Sequence, residues 1–264
     1  MMDILLYLSL GAFAGVLAGL LGVGGGTVIV PVLTFVYAAH QFPPAYTLHL
    51  ALGTSMASIL FTSVASLRSH HRRGAVDWAV VRQLTPGIVL GTLGGVWLTA
   101  HMSSNLLKGI FIAFAYFVAA QMLMNIKPKP NRQLPEGGGM LASGGAIGVV
   151  SSFVGIGGGT LSVPFMTWCN VPLHTVIGTS AALGFPIALA GAVGYVVNGW
   201  RVSGLPEYSL GFVYLPALLA VAGASVLTAP LGARMAHALP VAKLKKLFAL
   251  LLLAVGTKML SSLF

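Results

Sequence analysis

The chain has 264 residues, of which 57% are hydrophobic and only 7% charged, and its 14 basic and 4 acidic side chains give a formal net charge of +10. A soluble domain carries roughly a quarter charged residues, and a surface made from this composition would expose apolar patches that soluble monomers rarely have. An ordinary soluble domain is therefore excluded. So is nucleic-acid binding as the source of the charge, because there is no basic domain and the positive residues collect in short loops between apolar runs.

The first apolar run, residues 4–21, follows Asp3 and has no basic stretch ahead of it, so it reads as a first span rather than a cleavable signal. A glycine element, Gly22-Val23-Gly24-Gly25-Gly26, separates it from a second run, 27–39. The two runs together are tight for two crossings at about 20 residues each and too long for one plain crossing. A neutral loop with Pro43-Pro44 leads to a third segment, 47–67, and Arg68, Arg72 and Arg73 follow it. The fourth segment, 78–99, contains Pro86, and the fifth spans 106–124. The proline-rich polar stretch 127–137 then reads as an extended linker outside the membrane.

The second half repeats this plan with segments 140–154, 161–169, 175–197, 210–228 and 244–263. Pro186 and Pro216 fall inside segments, and Pro230 falls just after one. Lysine and arginine in short loops favour the cytoplasmic side. All three basic clusters (68–73, 127–132 and 234–246) meet that rule if the loops near Pro43 and Arg201 face outward.

Two motifs occur twice in the same order. Gly22 to Pro31 reads GVGGGTVIVP and Gly155 to Pro164 reads GIGGGTLSVP; His49-x-x-x-Gly53-Thr54-Ser55 is echoed by His174-x-x-x-Gly178-Thr179-Ser180. These matches divide the chain into an N-terminal repeat (1–126), the linker (127–139) and a C-terminal repeat (140–264). The expected fold is an all-α integral membrane protein of two inverted repeats, with four or five helical segments each and helices broken at the glycine elements. Five segments per half would invert the second repeat relative to the first.

Duplicated breaks in apolar helices are a feature of secondary transporters. In hydrocarbon an unsatisfied backbone group costs several kcal/mol, so a break survives only inside protein or against a watery cavity. The amides at the helix start that follows can hold an anion there. Candidate substrate-binding residues are Gly24, Gly25, Gly26 and Thr27, with Gly157, Gly158, Gly159 and Thr160, since each threonine stands where a helix would begin. Thr54, Ser55, Thr179 and Ser180 add hydroxyl donors, and His49 and His174 can donate to an anion or carry a proton. Against this stands helix packing, for which small residues and hydroxyls also serve, and interfacial bonding for the histidines.

Arg82 reads as a snorkelling side chain. Cys169 is the only cysteine, so no intrachain disulfide is possible. No acidic residue lies deep in a segment, which argues against a carboxylate relay. Neither glycine run has the spacing of a nucleotide-binding loop, and no zinc motif or carboxylate pair is present, so neither enzyme chemistry, nor a metal, nor a cofactor is expected.

At the glycine elements and GTS segments the chain resembles the sulfite exporter TauE/SafE family of membrane permeases. The residues that carry the likeness are Gly15, Gly19, Gly22, Gly24, Gly25, Gly26, Pro31 and Gly53-Thr54-Ser55, then Gly155, Gly157, Gly158, Gly159, Pro164 and Gly178-Thr179-Ser180. The resemblance implies a multi-pass protein of the bacterial cytoplasmic membrane that exports small anions such as sulfite or organosulfonates, with a proton or sodium ion as a coupling partner. A homodimer is compatible with the abundant small-residue faces. An anion channel and a non-transporting membrane scaffold are the alternatives.

Overall fold

The computed structural model describes residues 2–21, 25–124, 132–235 and 241–262. Within them the chain forms ten helices: α1 (Met2–Leu21), α2 (Gly26–Ala39), α3 (Thr47–His71), α4 (Trp78–Ala100), α5 (Ser104–Leu123), α6 (Gly138–Val154), α7 (Gly159–Trp168), α8 (Leu173–Gly199), α9 (Leu215–Met235) and α10 (Val241–Ser261). Five of these, α3, α4, α5, α8 and α9, are long and apolar enough to cross a membrane. α2 and α7 have 14 and 10 residues. At about 1.5 Å per residue both fall short of a hydrocarbon core of about 30 Å.

The glycine elements separate distinct helices, which decides for ten segments rather than eight. α2 turns back along α1: Gly25 lies against Ala14, and Tyr37 is within electrostatic reach of Tyr7. Gly22 and Gly24 of the first element, and residues 127–131 of the linker, lie outside the described residues. Where the linker resumes, the Arg132 guanidinium sits 4.7 Å over the Trp168 ring at the end of α7.

The start of the ninth segment differs from the sequence reading. Ser209–Leu210 and Val213–Tyr214 form a two-residue antiparallel ladder, and α9 begins only at Leu215. Pro216 therefore occupies the first turn, where its missing N–H costs nothing. Pro230, expected beyond the segment, lies within α9.

Helix association here rests on glycine. Gly11 and Gly15 of α1 press against the carbonyls of Val221 and Ser225 on α9, and Gly144 and Gly148 of α6 press against those of Leu84 and Ile88 on α4. The second pair of contacts repeats the first with the halves exchanged. Hydrocarbon provides no hydrophobic force between helices, so close backbone approach supplies the van der Waals contact instead. α3 and α8 pack against each other at the centre and run antiparallel: Gly53 meets Tyr195, Gly191 meets Met56, and Gly184 meets Ser63. α5 packs on α10. The helices of the two halves are thus interleaved rather than gathered into two bodies.

Replacing Gly148 by Leu forces atoms into the Ile88 carbonyl and the Thr92 amide. The expected loss is at least 1–3 kcal/mol, roughly, from overpacking. Gly94→Leu is the control, because nothing lies within 4 Å of that position. Thermal unfolding in detergent should show a lowered midpoint for the first variant and not for the second.

Candidate functional site

The two breaks come together. Gly26, the first residue of α2, lies against the Gly155 carbonyl and Ile156 of the other break so closely that a side chain there would collide. The Ser55 hydroxyl, from α3, donates to the same Gly155 carbonyl at 2.9 Å. An acceptor at the end of α6 is thereby satisfied from the opposite half of the chain, as burial in a membrane requires.

Each helix start has the same local geometry. Gly25 and Gly158 precede α2 and α7 with φ of 71° and 76°. This left-handed conformation favours glycine, and it turns the chain sharply into the helix. The first i→i−4 bonds are Ile29 N–H to Gly25 O at 3.1 Å and Ser162 N–H to Gly158 O at 2.8 Å. The amides of Gly26, Thr27, Gly159 and Thr160 precede those ladders and are directed out of the helix ends. Neither N-terminus carries a side-chain cap. Thr27 and Thr160 are buried, 1% and 6% exposed, and the hydroxyls of both lack a hydrogen-bond partner among the described residues. A buried hydroxyl without a partner is costly, and here the same cost recurs at matching positions of the two halves.

The GTS hydroxyls have a different task. The Thr54 hydroxyl oxygen accepts from the Tyr214 amide at 3.0 Å and from the Tyr37 hydroxyl at 3.3 Å. The Thr179 hydroxyl oxygen accepts from the Asp77 amide at 2.9 Å. Tyr214 directly precedes α9, and Asp77 is the N-cap of α4, where its carboxylate accepts from the amides of Ala79 and Val80. Each threonine therefore holds the beginning of a helix from the opposite half. Gly53 and Gly178 beside them admit the carbonyls of Phe212 and Ala75. Ser180 accepts from the Ser162 hydroxyl at 3.1 Å.

The histidines stand apart from the breaks. His49 is buried near the start of α3, with Nε2 2.9 Å from the Thr99 carbonyl. His174 is exposed at the start of α8. The structure does not bring the two together, despite their matching places in the sequence. Arg82 is exposed on α4, as a snorkelling side chain requires.

Several site residues carried no motif. Ser58, Thr62 and Ser66 continue the line of Ser55 along one face of α3, all of them buried. Thr62 shares a 2.6 Å hydroxyl contact with Ser225 of α9, and the Ser66 hydroxyl has no partner among the described residues. Thr62, Ser63 and Ser66 line a cleft that reaches Gly157 and has about 10 Å³ of free volume, room for about one water. The recurrence of hydroxyls at steps of three and four was the available signal. The matching face of α8 carries Leu183, Ile187 and Gly191, so this line belongs to one half only.

A model of the sulfite exporter TauE/SafE family matches residues 7–259. The chain belongs to that family. A Haemophilus influenzae protein named "Probable membrane transporter protein" is 38% identical over 258 residues, covering 97% of each chain. "Probable membrane transporter protein YunE" of Bacillus subtilis is 26% identical over 218 residues, 75% of this chain and 80% of its own. A Xylella fastidiosa protein, also named "Probable membrane transporter protein", is 31% identical over 177 residues, 64% of this chain and 65% of its own. No solved structure matches. Membership makes this a multi-pass membrane protein of a transporter family rather than an enzyme.

Thr54→Val removes the hydroxyl to which the part-buried Tyr214 amide and the buried Tyr37 hydroxyl donate. We expect a loss of about 1–3 kcal/mol, read as a lowered unfolding midpoint in detergent. Unchanged stability would contradict the clamping role given to Thr54.

Proposed function

We propose that the protein is a secondary transporter that exports small anions, sulfite, organosulfonates or related sulfur-containing anions among them, by alternating access. The observation that carries this reading is the pair of unpartnered hydroxyls, Thr27 and Thr160, at two bare helix starts, the first of which packs against Gly155 and Ile156 of the other break. Helix N-termini with free amides favour negative charge. Two of them, each with an unused hydroxyl donor, suit an oxyanion with several acceptor oxygens. Gly25, Gly26, Gly158 and Gly159 provide the backbone, and Ser55 and Ser180 border it; Gly24 and Gly157 complete the glycine elements. Thr54 and Thr179 act on the geometry of the site by clamping α9 and α4, and not as direct ligands.

The two halves, 1–126 and 140–264 on either side of the linker 127–139, are inverted repeats in this reading. Antiparallel packing of the matched helices α3 and α8 supports inversion. So do the exchanged contacts of α1 with α9 and of α6 with α4. Because the halves interleave, the rocking units are not the halves themselves. They are the α1–α9 pair and the α4–α6 pair, each drawn from both repeats and pivoting on α3 and α8. A substrate held between the breaks would then face either side in turn.

The test is uptake into inside-out vesicles containing the purified protein, with a panel of sulfite, methanesulfonate, isethionate and sulfate, with and without a pH or sodium gradient. A transported anion should accumulate against its own gradient; purely downhill flux would indicate a channel, and no flux a scaffold. Thr27→Val and Thr160→Val should keep the unfolding midpoint, since each removes an unsatisfied hydroxyl at constant shape. Each should nonetheless cut flux by about tenfold, the value of one hydrogen bond to a charged group. Normal flux in both variants would sink the site.

A further inference from the structure

We propose a second anion site, at the end of the bundle opposite Arg68, Arg72 and Arg73, which binds a small oxyanion together with a proton taken up by His49. The proposal rests on the reading that this chain moves small anions, and it adds a place and a coupling ion. A cavity of about 330 Å³ lies there between the start of α3, the α4–α5 corner and the end of α8. Its lining includes Tyr46, His49, Ser103, Ser104, Asn198 and Phe212.

Three features in it point to a ligand. α5 begins at this cavity, where Ser103 caps it by accepting from the Leu106 amide at 3.3 Å. The earlier amides, those of Ser104 and Asn105, remain directed out of the helix end, where an anion is favoured. Ser104 is 6% exposed and its hydroxyl has no partner among the described residues. His49 is 3% exposed and its Nδ1 makes no hydrogen bond of good geometry among the described residues, although the backbone carbonyls of Ala45 and Met102 also act on the ring.

The histidine geometry supplies the proton link. A carbonyl oxygen only accepts, so the 2.9 Å contact with Thr99 requires the hydrogen of neutral His49 to sit on Nε2. Nδ1 then carries a lone pair, and it is the atom to which a second proton adds. Protonated, it becomes a donor of charge +1 to an anion at Ser104 and the α5 terminus. The binding step takes one proton and one anion from water and returns both on release.

Among the described residues lining the cavity, Tyr46 is the only other ionisable group. His101 and Arg201 belong to adjoining loops but do not line it, and α4, α5, α8 and the hairpin contribute no acid to it. A proton on His49 thus has no resident carboxylate to pair with, and an incoming anion takes that role.

The test uses calorimetric titration of the full-length protein in detergent with methanesulfonate, an anion that does not itself titrate between about pH 5 and pH 8. A Thr27→Val/Thr160→Val background removes the hydroxyl donors of the central site. Binding is expected to be at least about tenfold tighter at pH 6 than at pH 8, with a heat that varies with buffer ionisation, as proton uptake demands. His49→Gln should bind at pH 6 as the parent does at pH 8, with no buffer dependence. Ser104→Ala should weaken binding about tenfold at pH 6, and Ser104→Thr, which keeps the hydroxyl, should restore it.

No binding, pH-independent binding, or unaltered binding in both His49→Gln and Ser104→Ala would overturn the proposal. Vesicle flux separates the two readings. Proton-linked binding without transport of any anion leaves this site standing and removes the transporter reading. Transport that persists unchanged in His49→Gln and Ser104→Ala, without the binding signature, does the reverse.

Discussion

Every backbone amide and carbonyl of a chain in hydrocarbon needs a partner within the protein, and that requirement organises this molecule. A helix meets it internally; a helix that stops inside the bundle does not. This chain stops four helices there, α1 and α6 at their ends and α2 and α7 at their starts. At one break the repair comes from the opposite half, where Ser55 satisfies the Gly155 carbonyl; the two halves also support each other at other helix starts, where Thr54 takes the amide ahead of α9 and Thr179 the amide ahead of α4.

What this repair leaves undone is as informative as what it completes. Most buried polar groups in folded proteins are paired. The hydroxyls of Thr27 and Thr160 are not, and they sit at corresponding places where short helices begin. Unsatisfied donors tolerated twice are a cost, and the proposed function gives that cost a use, the replacement of part of an anion's water shell. Family membership makes such a use coherent, since the matching proteins carry transporter names.

The repeats also differ from each other, and transport needs that difference if the two sides of the membrane are to act differently. A line of hydroxyls runs from Ser55 to Ser66 on α3, where the matching face of α8 is apolar. His49 is buried beside a cavity while His174 is exposed.

The sequence by itself determined the membrane class, the approximate places of the apolar segments and the doubled glycine motifs, while the structure decided that the runs beside those motifs are separate helices. The first three depend on composition and local periodicity, which a single chain displays directly. Proline and glycine positions were less decisive: Pro230 lies inside α9 and the residues before Leu215 form a hairpin, because neighbours and not propensity set those ends. Only the tertiary structure decided that Thr54 and Thr179 clamp helices while Thr27 and Thr160 stay unpaired, although all four are threonines in repeated motifs. It also separated His49 from His174 and placed Ser104 beside the former. Whether a hydroxyl is a strut or a free donor depends on which carbonyl or amide the rest of the fold brings within about 3 Å, and such contacts join residues up to 216 positions apart.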